Sequence, residues 1–194
     1  REPVNYVLPP GVNRIVDPGQ SQITKLNEQS MSMKVTDLKA GDARGVYKNT
    51  AMDLRIYKRL QLFTHAERLI EDVAGELKDG DLSVFLRLGT DIKNNYYEYE
   101  VPLKLTPPGH YNTYNSTDQY AVWPEANFMD INLSVFTDLK KDRNRSKHEE
   151  GSGVSNLTVF TAHDPNHEAN RVSVLGNPSL SDVRVILIGV RNKS

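Results

Sequence analysis

The side chains best suited to chemistry in this sequence are aromatic. Tyr96, Tyr97, Tyr99, Tyr111, Tyr114, Tyr120 and Trp123 lie close together along the chain. Aromatic rings present apolar faces on which sugar rings stack, and Asn, Asp and Arg nearby can bond to hydroxyls. Tyr96, Tyr111, Tyr114 and Trp123 are therefore the candidate carbohydrate-binding residues. Tyr97 and Tyr99 share an alternation with Val101 and Leu103 that turns them inward, as core. Trp123, followed by Pro124, equally suits a plug at the end of a sheet.

The other constellations are weaker. His163 and His167 have the spacing that places two ligands on one helix face, but Pro165 between them and strand-like flanks put them in a hairpin loop. Asp164 stands where the helical zinc-protease pattern needs Glu. Glu98 and Glu100 share a strand face about 7 Å apart, whereas glycosidase carboxylates flank a cleft from different elements; here they read as a solvated outer face. Asp91, Asn94 and Asn95 lack the spacing of a calcium loop and read as a turn. No phosphate-binding glycine loop or nucleophile elbow is present. The sequence implies no catalytic residue, metal or cofactor.

Strands must position these groups. Leu82, Val84, Leu86 and Leu88 alternate with Ser83, Phe85 and Arg87, and Tyr97, Tyr99, Val101 and Leu103 alternate with Tyr96, Glu98, Glu100 and Pro102. That pattern predicts a central hairpin with one buried face, turning through Gly89 to Asn95. Further strands are expected over Gln29 to Leu38, Val46 to Leu54 and Leu60 to Ala66, with a turn at Arg55 to Arg59 between the last two. More are expected around Ile131, Leu133 and Val135, over Asn156 to Ala162 and Arg171 to Leu175, and over Val183 to Val190. The last of these is apolar on both faces, which predicts a central strand or one covered on both sides. Phe136 to Arg143 suits a short helix, Glu67 to Gly80 a charged connection, and His110 to Gln119 a polar loop. Residues 1–28, punctuated by Pro and Gly, read as an extended N-terminal arm in which Tyr6-Val7-Leu8 can dock on a neighbouring surface. Residues 29–194 read as one all-β domain, an antiparallel β-sandwich.

Composition narrows the function classes. The chain has 194 residues, no cysteine and a net charge of −1. It has no disulfide framework and no cysteine nucleophile, and its charge makes no case for nucleic acid. Its longest apolar run, Val185 to Val190, is far short of the roughly 18–20 residues of a membrane helix. It begins at Arg1 without a signal peptide, which reads as a piece of something longer.

An ordered set of short segments carries a resemblance. They are Tyr6 to Val12, Leu26 to Ser30, Gly41 to Lys48, Asp53 to Leu60 leading to His65-Ala66-Glu67, Leu86 to Gly89, Asn94 to Glu100 and Gly176 to Val183. In this order the chain resembles the SprA-like gliding-motility and type IX secretion proteins of Bacteroidetes. The resemblance implies a domain inserted between strands of a very large outer-membrane β-barrel, with the cell-surface side favoured over the periplasmic one. It implies no enzymatic activity. The partners it implies are the rest of the parent polypeptide and secretion-system components or cargo; glycans are the partners of the alternative, a carbohydrate-binding module. It also implies that a further strand follows Asn192, leaving a sheet edge uncovered. Asp53 to Leu60 before a strand, and the turn and strand of Leu180 to Ile188, look like galactose-binding-like jelly rolls, a fold that hosts many functions.

Overall fold

The computed structural model describes residues 4–13, 30–69 and 77–194. In chain order the elements are β1 (Ala43–Met52), a 3-10 turn (Leu54–Ile56), β2 (Arg59–Leu62), β3 (Leu82–Gly89), β4 (Tyr96–Pro102), α1 (Ser116–Val122), a second 3-10 turn (Glu125–Asn127), β5 (Met129–Asn132), α2 (Ser134–Ser146), β6 (Phe160–Asp164), β7 (His167–Leu175) and β8 (Val183–Asn192). The fold is mostly β. Six strands form one antiparallel sheet in the order β1-β8-β3-β4-β7-β6, and β2 pairs with β5 in a second, two-stranded sheet.

The expected hairpin is β3–β4, at the centre of the large sheet, with Val84 opposite Val101, Leu86 opposite Tyr99 and Leu88 opposite Tyr97. The apolar run near the C-terminus is β8, paired on one side with β1 and on the other with β3. Among the described strands, β1 and β6 stand at the two ends of this sheet.

One face of this sheet carries Val84, Leu86 and Leu88 of β3, Tyr97, Tyr99 and Val101 of β4, and Val172 and Val174 of β7. Leu60, Leu62, Met129 and Ile131 of the small sheet and Val135, Phe136 and Leu139 of α2 close over it. Phe136 is the centre of the seal, with its ring 5.2 Å from Tyr97 and 6.4 Å from Tyr99. The α2 positions 135, 136, 139 and 143 recur at helical spacing and are all buried, so one stripe of the helix meets the sheet. Burial pushes the Tyr97 hydroxyl up to about 12; that hydroxyl donates to the Pro178 carbonyl at 3.0 Å.

Several expectations change. The described residues 30–38 form no strand; their alternation of Met and Ser finds no partner strand, and Met31 is exposed. The alternation of Ile131, Leu133 and Val135 breaks after Asn132, whose side chain accepts the N–H of Ser134, the first residue of α2. That helix is longer at both ends than Phe136 to Arg143. The loop expected over His110 to Gln119 contains the start of α1, capped by Asn115, whose side chain accepts from the Thr117 and Asp118 N–H groups. The strand expected over Asn156 to Ala162 is β6, shifted toward the C-terminus, and β7 begins at His167, so only Pro165 and Asn166 separate the two. Part of the expected connection from Glu67 to Gly80, and much of the N-terminal arm, lies outside the described residues. Among the described residues no helix is long and apolar enough to cross a membrane.

Candidate functional site

The opposite face of the large sheet is built from the alternate residues: Ser83, Phe85 and Arg87 of β3, Glu98 and Glu100 of β4, Arg171 and Ser173 of β7, and Arg191 of β8. Glu98 and Glu100 are only 5% and 6% exposed, so the expected solvated pair is a buried one. The reason is cross-strand register. Arg87, directly opposite Glu98, donates to its Oε2 at 2.5 Å. Arg191, one strand further over, donates to Glu100 Oε2 at 2.6 Å and to Glu98 Oε1 at 3.0 Å. Lys193 reaches Glu100 Oε1 at 3.2 Å, and the Ser83 hydroxyl donates to the same oxygen at 2.5 Å.

The hairpin is thus buried on both faces, one apolar and one ionic. Phe85 lies between the cations, its ring centre 5.4 Å from the Arg87 guanidinium carbon and 4.5 Å from that of Arg191. Its register partner is Gly189, where a Cβ would come within 2.5 Å of the Phe85 ring, so glycine is what lets the ring lie down. Burial opposes the charge on Glu100, but the Ser83 hydroxyl, Arg191 and Lys193 outweigh it and hold its carboxyl below the ordinary range. Among the described residues no buried side-chain nitrogen or oxygen lacks a hydrogen-bond partner.

The candidate sugar-binding residues divide between two places. Tyr96 is buried at the end of the ionic face, and the Arg87 guanidinium carbon stands 4.1 Å from the centre of its ring. A sugar stacking there has to displace that cation. Tyr111 and Trp123 instead seat the N-terminal segment. Asn5 and Tyr111 exchange two hydrogen bonds, Asn5 Nδ2 to the Tyr111 carbonyl at 2.8 Å and the Tyr111 N–H to Asn5 Oδ1 at 2.7 Å. Trp123 Nε1 donates to the Val7 carbonyl at 2.8 Å, the Leu8 N–H donates to the Thr113 hydroxyl at 3.0 Å, and Val7 is wholly buried. The expected docking of Tyr6-Val7-Leu8 is therefore made on the chain's own domain. Tyr114, in the same loop as Thr113, is 93% exposed.

The remaining candidates have structural partners. Asp91 Oδ1 accepts the Lys93, Asn94 and Asn95 N–H groups, which closes the β3–β4 turn and lowers the Asp91 carboxyl below its ordinary value. His163 and His167 stand on the two arms of the β6–β7 hairpin. His163 Nδ1 meets the Glu168 carbonyl and His167 Nδ1 lies 3.4 Å from Asp164 Oδ2. The same Asp164 oxygen accepts the Tyr99 hydroxyl at 2.5 Å, and Asn170 Nδ2 donates to that hydroxyl. Among the described residues no three His, Asp or Glu side chains gather as a metal site.

Sequence reasoning missed Arg87, Arg191 and Lys193 as partners of the two glutamates. Its available signal was the recurrence of cations two residues apart, Arg191 near the end of β8 and Lys193 just past it, after the apolar run.

A sequence family described as motility related/secretion protein, SprA_N, matches residues 1–194. The chain belongs to that family. No curated protein matches it. For a SprA_N member the arrangement described above is that of a cross-braced sheet: one face sealed by packing, the other by ion pairs, and an N-terminal strap tied down by side-chain hydrogen bonds to loop residues 111–123.

Proposed function

We propose that this SprA_N chain is a non-catalytic scaffold and docking domain of an outer-membrane translocon of type IX secretion and gliding motility, on the cell-surface side. The observation that carries the reading is family membership across residues 1–194. The geometry supports a structural role, because the buried carboxylates are engaged in holding the sheet. Glu98 and Glu100 are neutralised by Arg87, Arg191 and Lys193, and Asp164 is bonded to Tyr99. Its partners are the rest of the parent polypeptide and secretion components or cargo.

We read the fold more finely as a jelly-roll-like sandwich whose second layer is reduced to β2–β5 and completed by α2. What supports this is the pairing of the first and last strands of the large sheet, β1 and β8, beside the central hairpin.

The test is in-frame excision of this domain from the parent gene of a Bacteroidetes host, followed by measurement of cargo secretion and gliding. Loss of both, with the parent polypeptide still present in the outer membrane, is the expected result. Unchanged secretion and gliding would overturn the reading.

A further inference from the structure

Among the described residues, the large sheet has one long open edge. β1 pairs with β8 along one side, and no described strand lies along the other. Its ten residues, Ala43–Met52, are exposed almost throughout. An edge of this length is a template for another strand unless something blocks it. The direction of its free groups follows from the ladder. Asp42 accepts from the Asn192 N–H, so residues of the same parity, Arg44, Val46 and Lys48, bond inward to β8. Ala43, Gly45, Tyr47 and Asn49 therefore direct their backbone groups outward. The Ala43 carbonyl is occupied by the guanidinium of Arg44; Gly45, Tyr47 and Asn49 leave a row of donors and acceptors.

A second observation falls on the same edge and the 3-10 turn after it. Among the described residues, the exposed large apolar side chains concentrate between Val46 and Tyr57: Val46, Tyr47, Met52, Ile56 and Tyr57, with Tyr47 at 62% and Ile56 at 78%. Tyr47 and Asn49 also line an open groove of about 720 Å³ with Thr90, Asp91, Asp182 and Arg184. A strand edge flanked by exposed apolar side chains has the form of a strand-addition site.

Charge selects the occupant. Arg44, Val46 and Lys48 share one sheet face, cation–apolar–cation. Lys48 has no ion-pair partner among the described residues, and the nearest acid along the chain after it, Asp53, is held by Arg55. Opposite charges placed directly across a strand pair stabilise it and like charges oppose it. Self-pairing of two β1 strands that sets Val46 against Val46 sets Arg44 against Lys48. We infer that β1 binds, by strand addition, an extended polypeptide segment with an acidic residue two positions to either side of an apolar one. This deepens the docking reading and rests on it only for its cellular setting, since the peptide test below reads β1 alone.

The probe is a synthetic peptide, Ser-Glu-Thr-Val-Thr-Glu-Ser, against its counterpart with Lys in place of both Glu, titrated into the full chain at low salt. The acidic peptide is expected to bind about tenfold or more tightly than the basic one, with the preference shrinking as salt rises. Amide exchange at Gly45, Tyr47 and Asn49 should slow on binding, while Arg44 and Val46 stay unchanged. Tyr47→Pro removes an outward N–H without touching the inner ladder and should abolish binding. Should that variant misfold, Arg44→Glu/Lys48→Glu decides, because it should reverse the preference between the peptides. Equal binding of both peptides, no binding of either, protection elsewhere, or sedimentation showing β1 occupied by a second copy would overturn the inference. A failed excision experiment with a successful titration separates the translocon reading from this one.

Discussion

The two faces of the β3–β4 hairpin are both covered and differently made. On one, Leu86, Leu88, Tyr97 and Tyr99 meet Phe136 and the small sheet, and stability comes from apolar area removed from water. On the other, two glutamates and three cations cover the strands with their own side chains. Packing tolerates the loss of a contact in proportion to the cavity left behind. An ion network tolerates it poorly, because one missing partner leaves a desolvated charge.

The largest effect should come from the packed face. Phe136→Ala is expected to cost about 3–5 kcal/mol in chemical denaturation, since the ring is fully buried between Tyr97 and Tyr99. A loss under about 1 kcal/mol would show that α2 is not the seal.

Next comes the shared cation. Arg191→Met is expected to cost about 3 kcal/mol by leaving Glu98 and Glu100 short of charge. Adding Glu98→Leu and Glu100→Met should recover most of that, whereas a charged residue introduced at Leu88 on the other face should not be rescued by any single change. Failure of the apolar replacement to recover stability would show that the ionic face contributes more than charge balance. A smaller effect is expected at the strap. Asn5→Ala should cost about 1–2 kcal/mol through its two bonds to Tyr111, read as faster proteolytic cleavage near residues 4–13 with the domain's own melting little changed.

The smallest effect is in pH. Glu100 has a folded-state carboxyl held below its ordinary 4.5. The stability it contributes is complete above that value and is lost as pH falls through the lowered one. Acid titration should therefore destabilise the parent chain more steeply below pH 4.5 than Glu100→Gln. Parallel acid curves would place the depression elsewhere.

The packed face was legible in advance because alternation of Val, Leu and Tyr states which residues face inward. The ionic face was not. Glu98 and Glu100 alternate just as solvated residues do, and the difference lies in Arg191, more than ninety residues later, being brought alongside by register. Likewise Tyr96 reads as an exposed ring until Arg87 is laid over it. Trp123 reads as a plug or a platform until the Val7 carbonyl is placed on its indole N–H.

Local patterning by itself determined the hairpin, the apolar strand near the C-terminus and the turn closed by Asp91, because each depends on residues within a few positions of one another. Only the tertiary structure decided that β8 lies between β1 and β3, that the glutamates are buried, and that no described strand pairs with the outer side of β1. Those outcomes depend on which strands become neighbours, and strand order is settled by long-range pairing that alternation along one strand does not encode.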